Sequence, residues 1–114
     1  MPAVNPPAAP TLREKIGQLF NVGFRGRTPA ECELIARDLR ELHLGGVIFF
    51  DQDMAGGTVD SGPRLRNIES PAQVKTLIAY LQAQARVPLL VSVDQEGGRV
   101  NRLKPAYGFP ESIS

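Results

Sequence analysis

Residues 88–102 read Pro88-Leu89-Leu90-Val91-Ser92-Val93-Asp94-Gln95-Glu96-Gly97-Gly98-Arg99-Val100-Asn101-Arg102. The run 89–93 is almost continuously apolar, the pattern of a parallel strand covered on both faces rather than of a half-exposed one. It breaks at a carboxylate, Asp94, followed by a glycine pair and two arginines. Two earlier runs have the same make-up: residues 19–24, and residues 47–50 directly after Gly45-Gly46. The reading of the whole chain turns on these three runs and on what separates them.

What separates them is helical. Thr11/Glu14, Thr28/Glu31 and Ser70/Gln73 each place a hydroxyl residue three positions before Glu or Gln. In that pattern each side chain satisfies an otherwise orphaned N–H at a helix start. Pro29 and Pro71 follow two of these caps at the first helical position, where a missing N–H costs nothing. Leu12, Ile16, Leu19 and Phe20 share one helical face after the first cap, and a short helix is expected to lead into the first strand. Leu34, Ile35, Leu39 and Leu42 form the apolar stripe of the second helix, which Gly45-Gly46 is expected to stop. Val74, Leu77, Ile78, Leu81 and Ala85 form the stripe of the third.

The predicted order is therefore helix, then β-α-β-α-β. Right-handed crossovers place the three strands side by side in one parallel sheet. Two designs grow from that unit, an open doubly wound sheet and a closed eight-stranded barrel, and in both the chemistry collects beyond the carboxyl ends of the strands. The loops after Phe24, Phe50 and Val93 are the places to look. The second of these, residues 51–69, is far longer than the usual connection of about 2 to 6 residues, as expected of a rim or a lid.

The chain has 114 residues, 13 Lys+Arg against 12 Asp+Glu, 11 Gly, 10 Pro, one Cys and one His. A net charge of +1 supplies no basic field for nucleic acid. No apolar run approaches the about 20 residues of a membrane span. Residues 1–10, MPAVNPPAAP, carry neither a basic nor an apolar targeting segment and are read as a flexible leader, which makes a cytoplasmic location the expectation. Cys32 has no disulfide or metal-ligand companion. His43 lies at a helix end on the amino-terminal side of the second strand, away from the expected chemistry.

Asp94 at a strand tip, with Arg99 and Arg102 close behind, has the make-up of a grip on a polyhydroxylated ligand. The carboxylate accepts from hydroxyls and guanidinium donates in a fixed fork. Asp94 and Glu96 are too close together on one strand to flank a glycosidic bond as an acid/base pair. No spacing among Asp51, Asp53, Asp94 and Glu96 is diagnostic of a metal. Neither a phosphate-binding glycine motif nor a G-x-S-x-G nucleophile is present, so Ser92, Ser112 and Ser114 have no setting for a hydrolase triad.

The blocks Lys15-Ile16-Gly17-Gln18-Leu19-Phe20, Val22-Gly23-Phe24, Gly45-Gly46-Val47-Ile48-Phe49-Phe50 and residues 88–102 with Leu103, in that order, resemble the amino-terminal domain of glycoside hydrolase family 3. The nearest branch is that of the β-N-acetylhexosaminidases of bacterial cell-wall recycling. The resemblance implies an α/β fold, with residues 11–114 forming the amino-terminal part, about three βα units, of a TIM (β/α)8 barrel that needs about 250 residues in all. It implies retaining hydrolysis of terminal β-N-acetylglucosaminides, a carbohydrate substrate as partner, and no metal or organic cofactor. By the same resemblance Asp94 and Arg102 bind the substrate, while Glu96, Gly97, Gly98 and Arg99 support them, Arg99 through an ion pair. The family's K-H-F-P-G-H-G motif, its His/Asp acid/base dyad and its nucleophilic aspartate are expected downstream of Ser114. No catalytic residue is therefore expected within residues 1–114, and the chain by itself is expected to be inactive. A family 3 β-glucosidase or β-xylosidase, or a non-catalytic sugar-binding or assembly module, is the alternative.

Overall fold

Three helical segments start where a hydroxyl side chain replaces a missing backbone partner. In the computed structural model, which describes residues 8–54 and 64–113, all three expected capping boxes are formed. Thr11 caps helix α1 (Leu12–Gly17) and Ser70 caps α3 (Pro71–Gln84). Thr28 caps a 3₁₀ turn, Pro29–Cys32, that runs on into α2 (Glu33–Leu42). The Thr11 N–H holds the Glu14 carboxyl below its ordinary pKa, and the Arg27 N–H does the same for Glu31.

The strands fall where the apolar runs are, with one shortened. Leu19 and Phe20 are taken up in a turn closed by their N–H groups on Ile16 and Gly17, so β1 is only Asn21–Gly23. Strand β2 is Gly46–Phe49. A pair of two-residue strands, β3 (Gln52–Asp53) and β4 (Arg64–Leu65), opens and closes the long excursion after β2. Strand β5 is Leu90–Val93, and an antiparallel hairpin of β6 (Gln95–Gly97) and β7 (Val100–Asn101) comes after it. The excursion's middle, most of the expected leader and Ser114 lie outside the described residues.

The main sheet is parallel in the order β1-β2-β5, with Val22 opposite Val47 and Val47 opposite Val91. Strands laid down in chain order exclude the flavodoxin-like arrangement, in which the first strand sits between the second and the third. They suit a barrel wall built strand by strand. Helices α2 and α3 pack against each other, so both crossovers cover the same face of the sheet. On that face Val47 and Phe49 are buried, and they meet Ile35 and Leu39 of α2 with Leu77 and Leu81 of α3 in one core. Each of the fully buried leucines contributes about 1.5–3 kcal/mol by leaving water.

The other face departs from the expectation of burial on both sides. It carries Asn21, Gly23, Gly46, Ile48, Leu90 and Ser92; Arg66 and Phe50 lie against it at Gly23, while Leu90 is 62% exposed. A polar contact crosses this face all the same. Asn21 Nδ2 donates to Ser92 Oγ at 3.1 Å, and Ser92 Oγ donates to the Val47 carbonyl at 3.2 Å. Gly46 makes the crossing possible, since a Cβ there would lie 2.9 Å from Asn21 Oδ1 and 3.1 Å from the Leu90 carbonyl.

Two details of α2 also differ from the sequence reading. Its buried positions are Ile35, Ala36 and Leu39, while Leu34 and Leu42 are exposed. The stripe is narrower than the apolar residues alone suggest because Cys32, buried in the preceding turn, already fills one end of the core. Burial pushes the Cys32 thiol up to about 11, which makes it an inert packing group. The helix stops at Leu42 because His43 takes the left-handed conformation at φ 55°, ahead of the glycine pair. Its carbonyl accepts from Gln18 Nε2 at 2.7 Å, which ties the end of α2 to the end of α1.

Candidate functional site

Parallel strands deliver their carboxyl ends to one edge. Phe49 is level with Val93 in the last rung between β2 and β5, so Phe50 and Asp94 leave the sheet side by side. The site is built from three segments at that edge: the loop after β1, the base of the long excursion, and the stretch from Asp94 to Tyr107.

The first two are fastened together by Asn67, a fully buried side chain. Its Oδ1 accepts from the Phe50 N–H at 2.9 Å, and its Nδ2 donates to the carbonyls of Phe24 at 3.2 Å and Gly26 at 3.0 Å. One amide thus bridges the ends of β1 and β2. Arg66 adds a second bond to the Phe24 carbonyl, from Nε at 2.8 Å. The excursion between them is pinched at its base. The Arg66 N–H donates to the Asp51 carbonyl and the Asn67 N–H to the Phe50 carbonyl, both at 2.9 Å. Arg25 and Asp53 form a two-point ion pair, at 2.5 and 3.2 Å, that binds the excursion's first strand to the loop after β1.

The third segment is shaped by Gly97 and Gly98. Their φ values of +76° and +57° make the tight turn between β6 and β7, which side-chain-bearing residues adopt only at a cost. The glycine pair therefore does what the sequence requires of it. Gln95 then ties the hairpin to the segment after β7. Its Oε1 accepts from the N–H groups of Arg102 and Leu103 at 2.9 and 3.0 Å, and its Nε2 donates to Asn101 Oδ1 at 2.7 Å and to Ser112 Oγ.

At the centre lies Asp51, 1% exposed. Lys104 Nζ lies 2.5 Å from Oδ2, Arg102 Nη1 3.4 Å from Oδ1, and Tyr107 Oη 3.5 Å from Oδ2. A buried carboxylate is tolerable only when cations and donors replace its water, and here two cations do so. The Phe50 ring sits beneath two guanidinium groups, Arg66 at 4.7 Å and Arg102 at 5.8 Å from its centroid, within cation–π range. The Arg102 Nε is buried and has no hydrogen-bond partner among the described residues.

The residues expected from sequence fare differently at this edge. Asp94 is the residue between β5 and β6, exposed, with no hydrogen bond or ion pair to any described residue. Its carboxylate is therefore open to a ligand. Arg102 is half-buried and joined to the Asp94 neighbourhood through the Gln95 side chain, but its ion-pair partner is Asp51 rather than Asp94. Glu96 and Arg99 are exposed on the hairpin. The ion pair expected of Arg99 is not formed with any described residue, because the tight turn carries its side chain outward into water. His43 stands on the amino-terminal side of β2, away from this edge. The nucleophile and acid/base expected downstream of Ser114 lie beyond the described residues, as does Ser114 itself. Sequence reasoning missed Asn67, Gln95, Lys104 and Tyr107, and it weighed Asp51 only as a metal ligand. Among the described residues no group of His, Cys, Asp and Glu is arranged to hold a metal ion, and no helix is long and apolar enough to cross a membrane.

A sequence profile described as the glycosyl hydrolase family 3 N terminal domain matches residues 11–114. A protein named beta-hexosaminidase from Pseudomonas aeruginosa is 44% identical over 69 residues, covering 60% of this chain and 16% of its own length. Another of that name from Methylobacillus flagellatus is 38% identical over 78 residues, covering 66% of this chain and 18% of its own. Among solved structures, a glycoside hydrolase family 3 beta-N-acetylglucosaminidase from Paenibacillus sp. FPU-7 superposes with a TM-score of 0.62 at 41% identity, over 84% of this chain and 16% of that one. The chain thus spans less than a fifth of the length of these relatives.

Proposed function

The chain belongs to the glycosyl hydrolase family 3 N-terminal domain family, and from that premise we propose that it forms the first part of a β-N-acetylhexosaminidase and carries part of its sugar site. In the whole protein the reaction is hydrolysis of terminal β-N-acetylglucosaminide bonds with retention, in the cytoplasm and in the service of peptidoglycan turnover. The observation that carries the reading is Asp94: an exposed carboxylate at the end of a sheet strand, with no hydrogen-bond or ion-pair partner among the described residues. The names of the relatives support the same reading.

In this role Asp94 accepts hydrogen bonds from sugar hydroxyls, and Arg102 donates from the Nη groups that Asp51 leaves free. A pair of this kind fixes the ring's height and rotation above the sheet edge, which is the orienting part of catalysis. The nucleophile and the acid/base are not among Asp94, Arg102 and their neighbours; they come from outside residues 11–114. The Gly97-Gly98 turn holds Glu96 and Arg99 out along the rim of the site.

The test is hydrolysis of p-nitrophenyl N-acetyl-β-D-glucosaminide, β-D-glucoside and β-D-xyloside by the natural protein that carries this chain. Preference for the N-acetylglucosaminide is the expected result. Preference for the glucoside or xyloside would move the protein to another branch of the family. Sugar binding without turnover of any of the three would make it a binding module.

A further inference from the structure

We infer that Asp51 is a positioning residue that presets the Arg102 guanidinium for the sugar; this rests on the substrate role proposed for Arg102. Asp51 sits at the end of the central strand, buried from water, and among the described residues the three side-chain donors that reach it come from residues 102–107. Its two oxygens are divided between two cations: Oδ2 faces Lys104 and Oδ1 faces Arg102. That division matters because Arg102 and Lys104 lie two residues apart and repel one another. Without the carboxylate between them, both long side chains gain by swinging out to water.

Arg102 is held at three points. Gln95 Oε1 fixes its main-chain N–H at 2.9 Å, Asp51 fixes one edge of the guanidinium, and the Phe50 ring lies under its face. With its side chain 29% exposed, the remaining Nη donors are what the sugar meets. A side chain ordered before binding pays less entropy when the ligand arrives. The expected signature is therefore in affinity, not in the chemical step.

In the natural protein carrying this chain, Asp51→Asn keeps the shape of the side chain and removes its charge. The expected result is a rise of about tenfold or more in KM for p-nitrophenyl N-acetyl-β-D-glucosaminide and in Kd for N-acetylglucosamine, a tenfold change being about 1.4 kcal/mol. The value of kcat falls much less, and Asp51→Glu recovers most of the loss. An unchanged Kd and KM, or a loss confined to kcat, overturns the assignment.

A second measurement needs no variant: the ¹⁵Nε signal of Arg102 in the sugar-free protein. It is expected to be ordered and protected from exchange before any sugar is added. A mobile guanidinium that orders only on addition of N-acetylglucosamine overturns the inference, and this decides the matter if Asp51→Asn does not fold. If the unaltered protein neither binds nor hydrolyses the sugar, the sugar reading is what fails. An ordered Arg102 signal that Asp51→Asn releases then still supports the positioning role, and one it leaves unchanged overturns it.

Discussion

Asn67→Asp changes one NH2 group into an oxygen at the point where the ends of β1 and β2 are joined. The acceptor that serves the Phe50 N–H is kept, so the change acts only on the two bonds to the Phe24 and Gly26 carbonyls. Two lost hydrogen bonds cost about 1 kcal/mol each. The introduced carboxylate is buried against two carbonyl oxygens, which adds about 1–3 kcal/mol of unfavourable desolvation and repulsion. The Phe24 carbonyl keeps its bond from Arg66, so the sum is held to about 3–4 kcal/mol at neutral pH. That is a large part of the about 5–15 kcal/mol by which a domain is stable.

The sign with pH comes from the same contacts. Burial against carbonyls raises the folded-state pKa of the introduced carboxyl above its unfolded value near 3.9, so the penalty is full above the folded-state value and shrinks as pH falls through it. Once protonated, the group again donates one hydrogen bond. Urea denaturation of the natural protein and the variant, compared at each pH between about 8 and 4, reads this directly as the difference in midpoint at constant slope. A difference below about 1 kcal/mol at neutral pH, or one that does not change with pH, would refute the clamp.

Asp94→Ala is expected to lower kcat/KM for an N-acetylglucosaminide by about a hundredfold or more, since charge-assisted hydrogen bonds are worth about 1.5–3 kcal/mol each; a near-normal value in steady-state kinetics counts against the sugar role. Gly46→Ala drives a methyl group into Asn21 and the Leu90 carbonyl and should cost about 1–3 kcal/mol in chemical denaturation, as overpacking does. Glu14 and Glu31 have folded-state pKa values below the ordinary one. The stability they contribute is thus present above the ordinary carboxylate pKa and is lost as pH falls through their lowered values. The double variant Glu14→Gln, Glu31→Gln should show a shallower decline of helical circular dichroism on acidification than the natural protein; an equal slope would mean that the caps titrate without consequence.

The fold was legible because its signals are local. A capping box needs only four residues, and a buried parallel strand only four or five apolar ones, so Thr11, Thr28 and Ser70 and the runs around Val47 and Val91 could be read from spacing. What was misread depends on neighbours distant in sequence. Leu34 and Leu42 have the spacing of core residues, yet Cys32 and α3 leave room for only Ile35, Ala36 and Leu39. Leu90 lies within an apolar run and is nevertheless exposed, since a sheet face is buried only where a second layer exists.

The site divides in the same way. The place of Asp94 at the sheet edge could be read because a carboxylate ending an apolar run is visible in a window of ten residues. Asp51 and Asn67 could not, because each gains its meaning from partners 17 to 56 residues away in the chain, and a polar residue in a long loop looks like any other polar loop residue. The one usable hint lay in the excursion itself. An insertion after a barrel strand can preserve the strand's end only if its own two ends are closed together, and that requirement points to the residues just inside them. The N–H bonds from Arg66 to Asp51 and from Asn67 to Phe50 meet it. The excursion thus departs from the sheet edge and returns to it between Asp51 and Asn67, the two buried polar residues at its base.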